Sequence, residues 1–162
     1  MKLAVRLLML AGLMALGYWG WRMAFPDPRK AVWHRLEKLA QIASFPPNEG
    51  QIAKLANVQK LAGFFADQVT VNVEVQSVEK AEFSNREDLI QAMQAGRMAA
   101  SSVKAKFLGP KIEMTPGNQE AIVGVALAAD INGEQNVVVV DLKIKMKKMG
   151  GDWLITLVES VQ

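Results

Sequence analysis

Cysteine is absent from this chain, so disulfides and cysteine-ligated metal centres are excluded. Histidine occurs once, at His34, and tyrosine once, at Tyr18. Paired-histidine metal spacing and a tyrosine-based proton relay therefore have no residues to draw on. Glycine-rich phosphate loops, His-x-x-x-His spacing and serine-nucleophile motifs are missing too. No metal and no cofactor is expected. Internal repeats and low-complexity tracts are also lacking. The formal charge of +3 is unevenly spread. Residues 1–30 hold Lys2, Arg6, Arg22, Arg29 and Lys30 against Asp27 alone, and the remainder is slightly acidic. A nucleic-acid partner is excluded on that balance.

What the chain has in place of these is a basic head and an apolar run. Leu7 to Trp21 carries no charge and follows Lys2 and Arg6, the layout of a secretory signal or a short membrane anchor. Ala15-Leu16-Gly17 offers a small-x-small cleavage site, but Tyr18 and Trp19 follow at once. The aromatic cluster, with Trp19, Trp21 and Arg22 at the interface, favours a retained anchor over a secreted, cleaved form. Counted from Leu3 to Phe25 with Arg6 and Arg22 snorkelling, the run is long enough to span. Residues 1–25 are thus expected to be a signal-anchor and 26–162 one folded domain. Basic residues after the run pull the domain toward the cytoplasm. The short basic head is the export layout and favours the periplasmic side.

Ala121 to Val158 reads as three long antiparallel strands. Asn132-Gly133 is a hairpin signal, since both residues tolerate positive φ. A two-residue loop there pairs Leu127 with Val138, Val125 with Val140, Val123 with Leu142 and Ala121 with Ile144, all apolar. The opposite face then carries Lys143, Lys145 and Lys147. Gly150-Gly151 reads as the next two-residue turn. It sets Ile155 beside Met146 and Leu157 beside Ile144, which brings Glu159 onto the apolar face opposite Leu142.

Upstream, Asp27-Pro28 opens a helix as N-cap and first-turn proline, with Trp33, Leu36, Leu39, Ala40 and Ala43 on one face. Asn48, with Gln51 as capping-box partner, starts a second helix whose stripe is Ile52, Leu55, Ala56, Leu61 and Phe65. Val69, Val71, Val73 and Val75 alternate with polar residues as a strand, and Lys80–Phe83 pairs back on it. Ser84-Asn85-Arg86-Glu87 caps a third helix with Leu89, Ile90 and Met93 inward. Val103, Ala105 and Phe107 start a strand that Gly109-Pro110 kinks before Ile112 and Met114. The class is α+β: an N-terminal membrane helix, then helices packed on a strongly curved, mainly antiparallel sheet.

This order, with LAGFFADQVTVNVEV, the capped helix SNREDLIQAM and the closing DWLITLVES, resembles the nuclear transport factor two-like, or SnoaL-like, superfamily over residues 28–162. The resemblance implies a cone whose bent sheet wraps a long helix. It also implies either a pocket enzyme, such as an isomerase or cyclase, or a non-catalytic binding domain. The membrane-anchored periplasmic assembly proteins of this superfamily are similar in layout. Isomerase chemistry of this kind needs a carboxylate base and an oxyanion hole, whereas the expected lining here is aliphatic. His34, Trp153 and Glu159 are the candidate pocket residues, and Lys143, Lys145 and Lys147 with Lys104 and Lys106 form a basic outer face. The reading favoured is a non-catalytic, membrane-anchored domain that contacts other proteins or a second copy of itself. The alternative is a binder of small apolar ligands, or a lyase or isomerase using the cone.

Overall fold

The computed structural model describes residues 12–18, 27–75, 78–133 and 137–161. Residues 12–18 are helical and their side chains are exposed. The interface residues expected at Trp19, Trp21 and Arg22 lie outside the described residues. Among the described residues no helix is long and apolar enough to cross a membrane.

The folded part begins at α1, Pro28–Ala43, followed by α2, Gln51–Ala62. Strands β1, Phe65–Val75, and β2, Val78–Phe83, precede α3, Arg86–Ala99. Four long strands close the chain: β3, Val103–Met114; β4, Glu120–Ile131; β5, Val138–Met149; and β6, Asp152–Ser160. They form one six-stranded sheet in the order β2-β1-β6-β5-β4-β3. Only β1 and β6 pair in parallel; the other neighbours are antiparallel. The fold is α+β with helices on a mixed sheet.

Helix α1 starts as expected, with Asp27 Oδ1 accepting from the Arg29 amide at 3.0 Å and Pro28 in the first turn. Its inward face is Val32, Leu36 and Ala40, with Trp33 and Leu39 alongside. Val32 and Leu36 are wholly buried and belong to one cluster with Val123, Ile144, Met146 and Ile155 of the sheet. Each such side chain stabilises by roughly 1.5–3 kcal/mol relative to exposure.

Two helix starts are shifted. Gly50, not Asn48, is the cap of α2, and no side chain caps it. Asn85, not Ser84, caps α3, accepting from the Asp88 amide at 2.8 Å. Of the expected α2 stripe only Leu61 is a buried α2 residue: Ile52 is 87% exposed, Leu55 54%, Ala56 is exposed too, and Phe65 is buried in β1. The buried residues of α2, Val58, Leu61 and Ala62, all lie in its second half.

In the sheet, alternation holds while register moves. Val123 pairs with Ile144, Val125 with Leu142 and Leu127 with Val140, each two residues beyond the expected partner. A slip of two leaves every side chain on its face. Asn132 and Gly133 do have positive φ, 62° and 67°. However, Asn132 is committed elsewhere: its amide donates to Ser102 O at 2.9 Å, and its Oδ1 accepts from the Ser101 amide at 2.7 Å. The pair ties the hairpin to the start of β3 and does not close a two-residue loop. At Gly109-Pro110, β3 continues through a bulge, with Gly109 at φ 60°.

The Gly150-Gly151 turn has two residues and pairs Met149 with Asp152 and Met146 with Ile155. One step later β6 carries an extra residue: Lys145 pairs with Leu157, and Ile144 with Val158. Leu157 is therefore not beside Ile144, and every residue beyond Thr156 changes face relative to the expectation.

Candidate interaction site

The inner face of the sheet is where an enzyme of this architecture would hold its chemistry. Here it is Val123, Val125, Leu142, Ile144, Met146 and Val158, packed against α1. Among the described residues Arg97 is the only polar residue buried as a whole, the Glu49 side chain is buried beside it, and no three metal-ligating side chains cluster.

The three expected pocket residues are not brought together. His34 lies on the solvent face of α1, its side chain 76% exposed, with Nδ1 3.1 Å from Glu37 Oε2. Trp153 is core, buried at the start of β6. Glu159 is corrected to the outer face, because the extra residue at Thr156 sets it opposite Lys143. Its carboxylate is 3.8 Å from Lys143 Nζ and half exposed. Six residues of extended strand, about 20 Å, separate Trp153 from Glu159.

The basic outer face is present on alternate positions of β5, but it is partly neutralised. Lys143 meets Glu159, and Lys147 Nζ is 3.4 Å from Glu120 Oε1. Lys145, between them, has no carboxylate partner among the described residues. It borders an open trough of about 630 Å³ with Ile122, Thr156 and Asp67. Asp67 in turn pairs with Arg86 at 2.6 Å. The trough has both charge signs on its walls.

Two arginines, missed in the sequence, organise the helical layer. Arg97 of α3 is buried with Glu49 of the α1–α2 loop, their side chains only 4% and 7% exposed. Arg97 Nε and Nη2 each donate to a Glu49 oxygen at 2.8 Å, a bidentate pair. Nη1 donates to Ile42 O at 3.0 Å, and the guanidinium lies 4.4 Å from the Phe45 ring centre. Asn57 Nδ2 adds a 2.7 Å bond to Glu49 Oε1. These bonds, that from Arg97 above all, hold the Glu49 carboxyl below its ordinary range against the opposing effect of burial. A last-turn arginine such as Arg97 has the same local pattern as a cation placed for the helix dipole; nothing local distinguishes the two.

Arg35 of α1 is the second. Its Nη2 donates to Gly63 O at 2.8 Å and its Nε to Trp153 O at 3.2 Å, and it stacks 4.2 Å from the Phe64 ring centre. It borders a cleft of about 500 Å³ between α1 and α2, together with Lys38, Lys60, Asn57 and Ile42. The cleft holds three cations and no acid. It can bind an anion.

No family model matches the chain, and no curated protein does. Solved structures do. Kfla4162 from Kribbella flavida is 16% identical, over 82% of this chain and 88% of that one, with a TM-score of 0.63. A putative scytalone dehydratase from Novosphingobium aromaticivorans is 12% identical, over 83% and 84%, with a TM-score of 0.60. A nuclear transport factor two-like protein of unknown function from Shewanella oneidensis is 9% identical, over 84% and 100%, with a TM-score of 0.59. At such identities the likeness is one of fold, and the fold of this chain is a nuclear transport factor two-like α+β cone.

Proposed function

We propose that this chain is a non-catalytic domain, held at a membrane by its N-terminal apolar segment, that works through contacts with other proteins on the extracytoplasmic side. The observation that carries the reading is the inner face. Aliphatic side chains fill it, and none of its six sheet residues named above can exchange a proton. His34 and Glu159 stand on separate exposed faces and Trp153 in the core, so these three do not together form a proton-transfer site. The tether is supported by Leu13, Met14, Leu16 and Tyr18, which project from the helical residues 12–18 without packing on the domain. An apolar helix exposed in this way needs a bilayer or a partner to cover it.

Fractionation followed by crosslinking in intact membranes tests this. The expected result is full-length chain in the membrane pellet, domain accessible to added protease outside the cytoplasm, and reproducible crosslinks to other proteins. A soluble monomer with no crosslinked neighbour would refute it.

A further inference from the structure

We propose that the cleft between α1 and α2 binds a carboxylate, presented by an acidic peptide segment of a partner protein. This rests on the reading of the chain as a protein-contact domain and assigns one of its contacts.

The inference comes from comparing the two stacked arginines. Arg97 lies over Phe45 and Arg35 over Phe64, at 4.4 Å and 4.2 Å. Each donates to a main-chain carbonyl near the end of a helix, Ile42 O for Arg97 and Gly63 O for Arg35. Arg97 is completed by the bidentate carboxylate of Glu49. Arg35 has no such counterpart. Of its five N–H donors, one goes to Gly63 O and one to Trp153 O. The remaining three have no recorded acceptor among the described residues. Neither Arg35, Lys38 nor Lys60 has a carboxylate partner among the described residues. A guanidinium already fixed by stacking and two bonds loses little further freedom on binding. Lys38 and Lys60 add attraction that salt would screen.

The cleft wall suits a side chain arriving on a polypeptide. Ile42, only partly buried, offers apolar surface for the methylenes of an aspartate or glutamate. Asn57 uses its Nδ2 for Glu49, and its Oδ1 meets no donor among the described residues, so it can accept from a peptide N–H. The ligand carboxylate would stand to Arg35 as Glu49 stands to Arg97.

The test uses the full chain in neutral detergent with a fluorescein-labelled tetraglutamate peptide, read by anisotropy at low salt. Saturable binding is expected. The double variant Lys38→Glu/Lys60→Glu should weaken it about tenfold or more. Lys104→Glu/Lys106→Glu, an equal charge change on β3, should leave it within about twofold. Arg35→Lys, which keeps charge but removes the fork, should also weaken it. Absence of saturable binding, or equal loss in the two double variants, would overturn the site. So would phosphatidylglycerol vesicles binding through Lys38 and Lys60 while the peptide does not, which would assign the cleft to phosphate. If the double variant still crosslinks to every membrane partner of the wild type, the cleft fails alone and the protein-contact reading stands.

Discussion

Arg97 and Glu49 carry more consequence than any other single residues. Both charges are withdrawn from water, and each is tolerable only because the other is there. Removing one partner leaves an uncompensated buried charge. Arg97→Ala should therefore cost about 3–5 kcal/mol in denaturant unfolding. Arg97→Lys should recover only part of this, since an ammonium cannot make the paired 2.8 Å bonds to Glu49 together with the bond to Ile42 O. The same pair sets an acid limit. Glu49 has a lowered folded-state pKa, so its stabilisation is complete above the ordinary carboxylate range and is lost as pH falls through the lowered value. Melting temperature measured downward from neutral pH should fall more steeply in the wild type than in Glu49→Gln, which has no carboxylate there to protonate. Parallel curves would mean that the pair contributes nothing to acid stability.

At the scale of elements, the sheet is organised by the alternation of β4 and β5, and an irregularity between β5 and β6 decides which end residues of β6 face inward. Ile144 points into the core and Lys145, its neighbour, out of it. Ile144→Asp would bury an unpaired carboxylate in an aliphatic cluster, at a cost comparable with the whole stability of a domain, roughly 5–15 kcal/mol. It should abolish the cooperative unfolding transition, while Lys145→Asp should leave the melting temperature nearly unchanged; similar losses for both would refute the facing. The extra residue at Thr156 turns Glu159 from the core side to Lys143. That one bulge is why Glu159 does not share the inner face with Leu142. Asp27 illustrates the gentler scale of an end effect: Asp27→Ala removes the cap bond to Arg29 and should cost about 1 kcal/mol by thermal melting.

For the molecule as a whole, the arrangement is a packed cone with a cationic cleft between its first two helices, preceded in the chain by an apolar segment whose described residues, 12–18, are exposed. Nothing in the domain packs over Leu13 or Leu16. If a bilayer covers them, Leu13→Lys/Leu16→Lys should move the chain from the membrane pellet to the soluble fraction without lowering the melting temperature of the domain. Retention in the pellet would count against the tether.

Much of this was legible along the chain because strands and helices write their facing into local periodicity. Val123, Val125, Leu142 and Ile144 declared the inner face, and Asp27-Pro28 declared the start of α1. Periodicity has no memory of absolute register, however. A shift of two residues between β4 and β5 preserves the pattern, and the bulge at Thr156 lies where the register of β6 with β1 is interrupted too, a pairing no local window contains. Ile52 and Leu55 carry the spacing of a buried stripe and face solvent, because only the second half of α2 packs against the rest of the domain. Arg97 meets Glu49 across 48 positions, and Arg35 reaches Trp153 across 118. Which charge is buried, which is paired and which is left open are long-range outcomes of packing, set only when the helices close over the sheet.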